Sequence, residues 1–133
     1  MKLKNFTRVI LCVMLLTSGV AHFTSLKQEF ESLVPQCISY DKKLVIEITG
    51  ITELILGACM LLVRKYRKWI GIILAIFLIT VFPGNMHQFS RGIDAFGLND
   101  DAIRLLRLFL QPLLIYLAIW STSDWRLQKN MND

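Results

Sequence analysis

Apolar positions fall in four long runs, over residues 8–26, 44–63, 69–88 and 102–121, separated by short polar stretches. A helix needs about 20 largely apolar residues to cross the hydrocarbon core of a bilayer. Each run meets that length, and the connections are short, with no low-complexity linker and no evident repeat. The pattern predicts an all-α fold, an integral membrane four-helix bundle forming one domain over residues 1–133. A weaker amphipathic pattern, Phe30, Leu33, Val34 and Ile38, predicts a short segment lying at the interface between the first two spans.

Polar residues inside these runs are not scattered. The last run, Ala102 to Trp120, carries Arg104, Arg107 and Gln111, which share one face at ~100° per residue. Asp100 continues that stripe one turn earlier. The second span sets Gly50, Glu53 and Gly57 on one face with Glu47 beside it, and small residues there allow a neighbouring helix to approach closely. Ser18, His22 and Ser25 share a face near the end of the first span. The third ends in Pro83 and Gly84, expected to kink or unwind it, followed by Asn85, His87 and Gln88.

Composition agrees with a membrane protein: 54% of residues are hydrophobic and the mean hydropathy is +0.50. The net charge of +5 would be a nucleic-acid signal in a soluble domain, but here its distribution reads as topology. Lys2, Lys4, Arg8, Arg64, Lys65, Arg67, Lys68, Arg126 and Lys129 would share one side, which the positive-inside rule places in the cytoplasm with both termini. No soluble basic face remains for nucleic acid. A competing reading takes the first span as a cleaved signal peptide, since Gly19-Val20-Ala21 fits a small-x-small site. Cys12, Cys37 and Cys59 form no CxxC and read as packing residues or a lone outer thiol, with Cys12 and Cys59 close enough in depth to touch.

Ordered by depth, His22, Glu47, Glu53, Asn85, His87, Arg104, Arg107 and Gln111 all fall in the outer half and come from four helices. Intramembrane charges pair with one another or face a wet cavity. The expected receivers of the Arg104 and Arg107 stripe are Glu53 and Glu47, because guanidinium groups suit bidentate carboxylate pairing. Two readings stay open: the pairs only lock the helices in register, or they line an outward-facing polar pocket. Such a pocket suits a proton relay or a quinone headgroup, with a histidine or carboxylate taking protons. Haem ligated by His22 and His87 is a weaker alternative. Zinc is weaker still, for want of local ligand spacing.

Four stretches together resemble the DoxX-like family of small four-helix membrane proteins: Ser18-Gly19-Val20-Ala21-His22-Phe23; Gly50-Ile51-Thr52-Glu53-Leu54 with Gly57; Phe82-Pro83-Gly84-Asn85; and Arg104 to Gln111 leading into Pro112-Leu113-Leu114-Ile115. The resemblance spans about residues 8 to 122, with order and spacing carrying most of the weight. It implies a four-helix membrane bundle. Some relatives are subunits of membrane redox complexes that pass electrons to quinone, and others resemble assembly factors. It carries over no catalytic residue, and nothing marks a stand-alone enzyme. The expectation is therefore an accessory or quinone-linked subunit in the cell membrane, with a partner redox subunit or a second copy. A structural or assembly protein is the main alternative and a small transporter subunit the lesser one.

Overall fold

A computed structural model describes residues 2–93 and 100–123. Among these the regular secondary structure is all helical: α1 (Lys2–Ala21), α2 (Lys27–Leu33), α3 (Lys42–Leu62), α4 (Arg67–Arg91) and α5 (Asp101–Thr122). Four of the five, α1, α3, α4 and α5, are long and apolar enough to cross a membrane. The short amphipathic segment expected between the first two spans is α2, with Leu33 and Val34 buried.

Helix limits follow local chemistry. Asp41 and Asp100 cap α3 and α5, each accepting a hydrogen bond from the backbone N–H two residues on, Lys43 and Ala102 respectively. Gly92 ends α4 in the left-handed region, φ 61°, where glycine carries no Cβ penalty. The first helix stops at Ala21, not near residue 26, so His22 sits in the turn after it and Ser25 no longer shares its face.

The expected unwinding at Pro83 does not occur, and α4 continues helical to Arg91. Proline lacks the N–H that would reach the Ile79 carbonyl, one turn back. Beside that defect the Gln111 side chain donates from Nε2 to the Leu78 carbonyl at 2.8 Å, fastening α5 where the α4 ladder is weakened.

Helices pack chiefly as two pairs, α1 with α3 and α4 with α5, while α1 and α5 join the pairs. Glycines set the closeness of both pairings. A Cβ on Gly50 would stand 2.7 Å from the His22 Cβ, and one on Gly71 would stand 1.8 Å from Thr122 Oγ1. The core common to the four long helices is Leu11, Leu15, Leu56, Met60, Ile70, Leu74, Leu78 and Ala118. Cys12 donates from Sγ to the Gly57 carbonyl at 3.1 Å, so it bonds α3 backbone, and all three cysteines are free thiols.

Outside that core the surface is apolar. Val9, Val13 and Val20 on α1, Ile48, Ile51 and Ile55 on α3, Ile73, Ile76 and Ile79 on α4, and Leu106, Phe109 and Leu113 on α5 are all exposed. Inside it, His22, Gln88, Arg104, Gln111, Ser121 and Thr122 are buried. A water-soluble bundle buries large aliphatic residues and exposes charges. Here the long helices show apolar flanks and bury several polar side chains beside the apolar core, a distribution that suits lipid as the surrounding solvent.

Candidate functional site

The two helix pairs divide the polar residues expected to form one cluster. In the α1/α3 half, His22 is 2% exposed and Glu53 13%, with Nδ1 and Oε2 3.3 Å apart. Nδ1 also lies 2.8 Å from the Ser18 carbonyl. A carbonyl oxygen can only accept, so Nδ1 carries the hydrogen and Nε2 is the nitrogen that can gain or lose a proton. Because that N–H is aimed at Ser18, Glu53 Oε2 is left buried without a hydrogen bond. Such an atom is costly unless a proton or a donor meets it.

Phe30 of α2 closes this half from above. Its ring stacks on the His22 imidazole, with centroids 3.7 Å apart and planes inclined by 22°. Lys27, at the start of α2, donates to Glu47 Oε1 at 2.6 Å. That hydrogen bond holds the Lys27 ammonium pKa above its ordinary value, outweighing the opposing effect of desolvation. Helix α2 also touches α4, where the Leu33 carbonyl lies against Gly84. It thus spans the seam between α3 and α4, which share few contacts of their own.

In the α4/α5 half the contacts form a ladder. Asn85 donates from Nδ2 to Gln111 Oε1 at 3.0 Å, and Gln111 in turn donates to Leu78. One turn further, Arg107 Nη1 donates to Gln88 Oε1 at 2.9 Å, while Gln88 Nε2 reaches the Ile93 carbonyl. Arg104 is buried and bonds Asp101 at 2.6 Å, three residues back on its own helix.

The stripe of Arg104, Arg107 and Gln111 therefore does not face Glu47 and Glu53, as its charge alone had predicted. Glu47 is held by Lys27 and Glu53 by His22, both on segments adjoining α3 in the chain. Arg107 finds Gln88 on its hairpin partner, and Arg104 finds Asp101. His87 is half-buried, and its ring makes no hydrogen bond among the described residues. No group of three or more His, Cys, Asp or Glu side chains capable of holding a metal ion occurs among the described residues. Lys27, Phe30 and Gln88 were missed as site residues from the sequence. The amphipathic spacing of α2 was the available signal for Phe30.

Taken together these features define a class: a bundle of four helices, each long and apolar enough to cross a membrane, with a buried histidine–carboxylate pair under a short capping helix. Residues 11–122 match the family described as a domain of unknown function (DUF8561), and the chain belongs to that family. No curated protein and no solved structure matches it.

Proposed function

We propose that this chain is a multi-pass protein of the cell membrane, with both termini in the cytoplasm, acting as an accessory, quinone-linked subunit of a membrane redox system. The observation that carries the reading is the His22–Glu53 pair, with its buried Oε2 short of a donor. A quinone headgroup supplies two-electron redox chemistry in which its oxygens gain and lose protons. Glu53 Oε2 can accept the hydroxyl donor of the reduced headgroup or hold a proton for the oxidised one. The His22 Nε2 can pass a proton to or from the headgroup while Ser18 keeps the ring oriented. The seam between α3 and α4, spanned by α2, would admit a lipid-soluble ligand sideways from the bilayer. The DoxX-like resemblance supports the same reading, and its electrons would come from a partner redox subunit.

A second reading, a structural or assembly protein, is favoured by one specific observation. Among the described residues the α4/α5 ladder ties Asn85, Gln88, Arg107 and Gln111 to one another and to the Leu78 carbonyl. Extraction of lipids from the purified full chain, followed by mass spectrometry, separates the two. The redox reading expects quinone in the wild type and its loss in Glu53→Gln and His22→Gln, with helicity and thermal unfolding retained. Absence of quinone from the wild type, with both variants merely less stable, leaves the structural reading.

A further inference from the structure

At the end of the bundle away from α2, helix direction gathers the N-termini of α1 and α4 with the C-termini of α3 and α5. Lys4 Nζ donates to the Ser123 carbonyl at 2.8 Å, bringing α1 and α5 together there, and Gly71 packs on Thr122, bringing α4 and α5 together. Seven basic residues share this end: Lys2, Lys4, Arg8, Arg64, Lys65, Arg67 and Lys68. Every acidic residue among those described, from Glu29 to Asp101, lies instead toward the α2 end.

Aromatic rings mark the same level. Tyr66 and Trp69 are exposed, Lys65 lies over the Tyr66 ring at 5.3 Å, and Lys4 lies over the Trp120 ring at 5.6 Å. Tryptophan and tyrosine favour the headgroup layer of a bilayer. Lysine and arginine there extend their charged ends outward along their apolar stems. Below this ring of charge the helix flanks are apolar, as acyl chains require.

We infer that this end is a binding surface for anionic phospholipid, with the exposed Arg64 and Lys65 of the α3–α4 turn and Lys68 in the first turn of α4 engaging the phosphate and Tyr66 and Trp69 seating the glycerol level. The inference is independent of the quinone reading and holds for whichever leaflet this end faces. Three basic side chains acting together at an anionic surface, discounted for mutual repulsion and salt, are expected to give about a tenfold preference, equivalent to about 1.4 kcal/mol.

The test uses the full chain in nanodiscs of phosphatidylcholine mixed with phosphatidylglycerol, with retained lipids counted by native mass spectrometry. The wild type is expected to enrich phosphatidylglycerol about tenfold. An Arg64→Gln, Lys65→Gln, Lys68→Gln triple variant should lose that enrichment, while Lys42→Gln, Lys43→Gln at the opposite end should keep it. Circular dichroism establishes that each variant is folded, and Lys65→Arg, Lys68→Arg replaces the triple variant if that one is not, with enrichment then expected to be retained. Millimolar inorganic phosphate should not displace the lipid. Equal retention of the two lipids, equal loss in the opposite-end variant, loss in the arginine variant, or displacement by phosphate would each overturn the inference.

Discussion

Arg107 on α5 and Gln88 on α4 are joined by a 2.9 Å hydrogen bond, and it is this neutral amide that meets the guanidinium across the helix seam. A carboxylate two helices away would have offered more charge but lies in the other pair. The arrangement predicts a specific energetic coupling. A double-mutant cycle of Arg107→Leu with Gln88→Leu, read by unfolding in detergent, should give an interaction of about 1 kcal/mol, in the range of interhelical hydrogen bonds in membranes. The same cycle between Arg107 and Glu53 should be additive within about 0.5 kcal/mol. Strong coupling in the second cycle would contradict the division into two halves.

Gly71 against Thr122 is the tightest helix contact described above, and it has no slack. A Cβ at Gly71 would approach Thr122 Oγ1 to 1.8 Å and Thr122 Cβ to 2.7 Å. Gly71→Ala should destabilise the bundle by about 1–3 kcal/mol, the usual range for overpacking. Adding Thr122→Ala removes the nearer clash but not the farther one, so thermal unfolding should show partial rescue. Full tolerance of Gly71→Ala would mean that α4 and α5 are farther apart than described.

Phe30 is the wall between His22 and the surroundings at the α2 end. Truncation to Ala should remove about 0.5–1.5 kcal/mol of ring–ring contact beyond the lost area. It should also open His22, now 2% exposed, to diethylpyrocarbonate. Peptide mapping distinguishes it from His87, whose labelling should hardly change. Equal labelling of His22 in wild type and variant would show that something other than Phe30 covers the ring.

The Lys27–Glu47 pair gives a signed pH dependence. Hydrogen bonding to Glu47 raises the Lys27 pKa above its ordinary value of 10.5. A group whose folded pKa is raised stabilises the fold fully below its unfolded pKa and ceases to do so as pH climbs through the folded one. The wild type should therefore lose stability above about pH 10.5 relative to Lys27→Met, and the two should differ by a constant amount from neutrality up to that point. The effect is small, because the pair is partly exposed to solvent. A steeper fall in the variant would reverse the sign and refute it.

Much of the architecture was legible in the residue pattern, and the pairing within it was not. Runs of aliphatic residues announced α3, α4 and α5 to within three residues at each end, because length and hydropathy are summed over a whole helix, whereas α1 begins at Lys2 rather than near residue 8. Helix α2 showed through Phe30, Leu33 and Val34. The end of α1 at Ala21 was missed, since nothing in Gly19 to Phe23 breaks a helix as strongly as proline would. Periodicity also showed that Arg104, Arg107 and Gln111 share one side of α5, but a shared side does not say which helix it faces. Assigning Glu53 to Arg107 by charge ignored competitors close in the chain. Asp101 is one turn from Arg104, and Gln88 lies on the adjoining helix, so both require less chain to be ordered before contact.

Division into pairs also has a consequence for synthesis. The neighbours of both α3 carboxylates lie within the first 53 residues, since Glu53 sits beside His22 and Glu47 is bonded by Lys27. Asn85, Gln88, Arg107 and Gln111 then meet within one later hairpin. A chain emerging from the ribosome N-terminus first can hand over its first helix pair with both carboxylates beside the neighbours they keep. Glu53 need not wait in hydrocarbon for an arginine still to be translated.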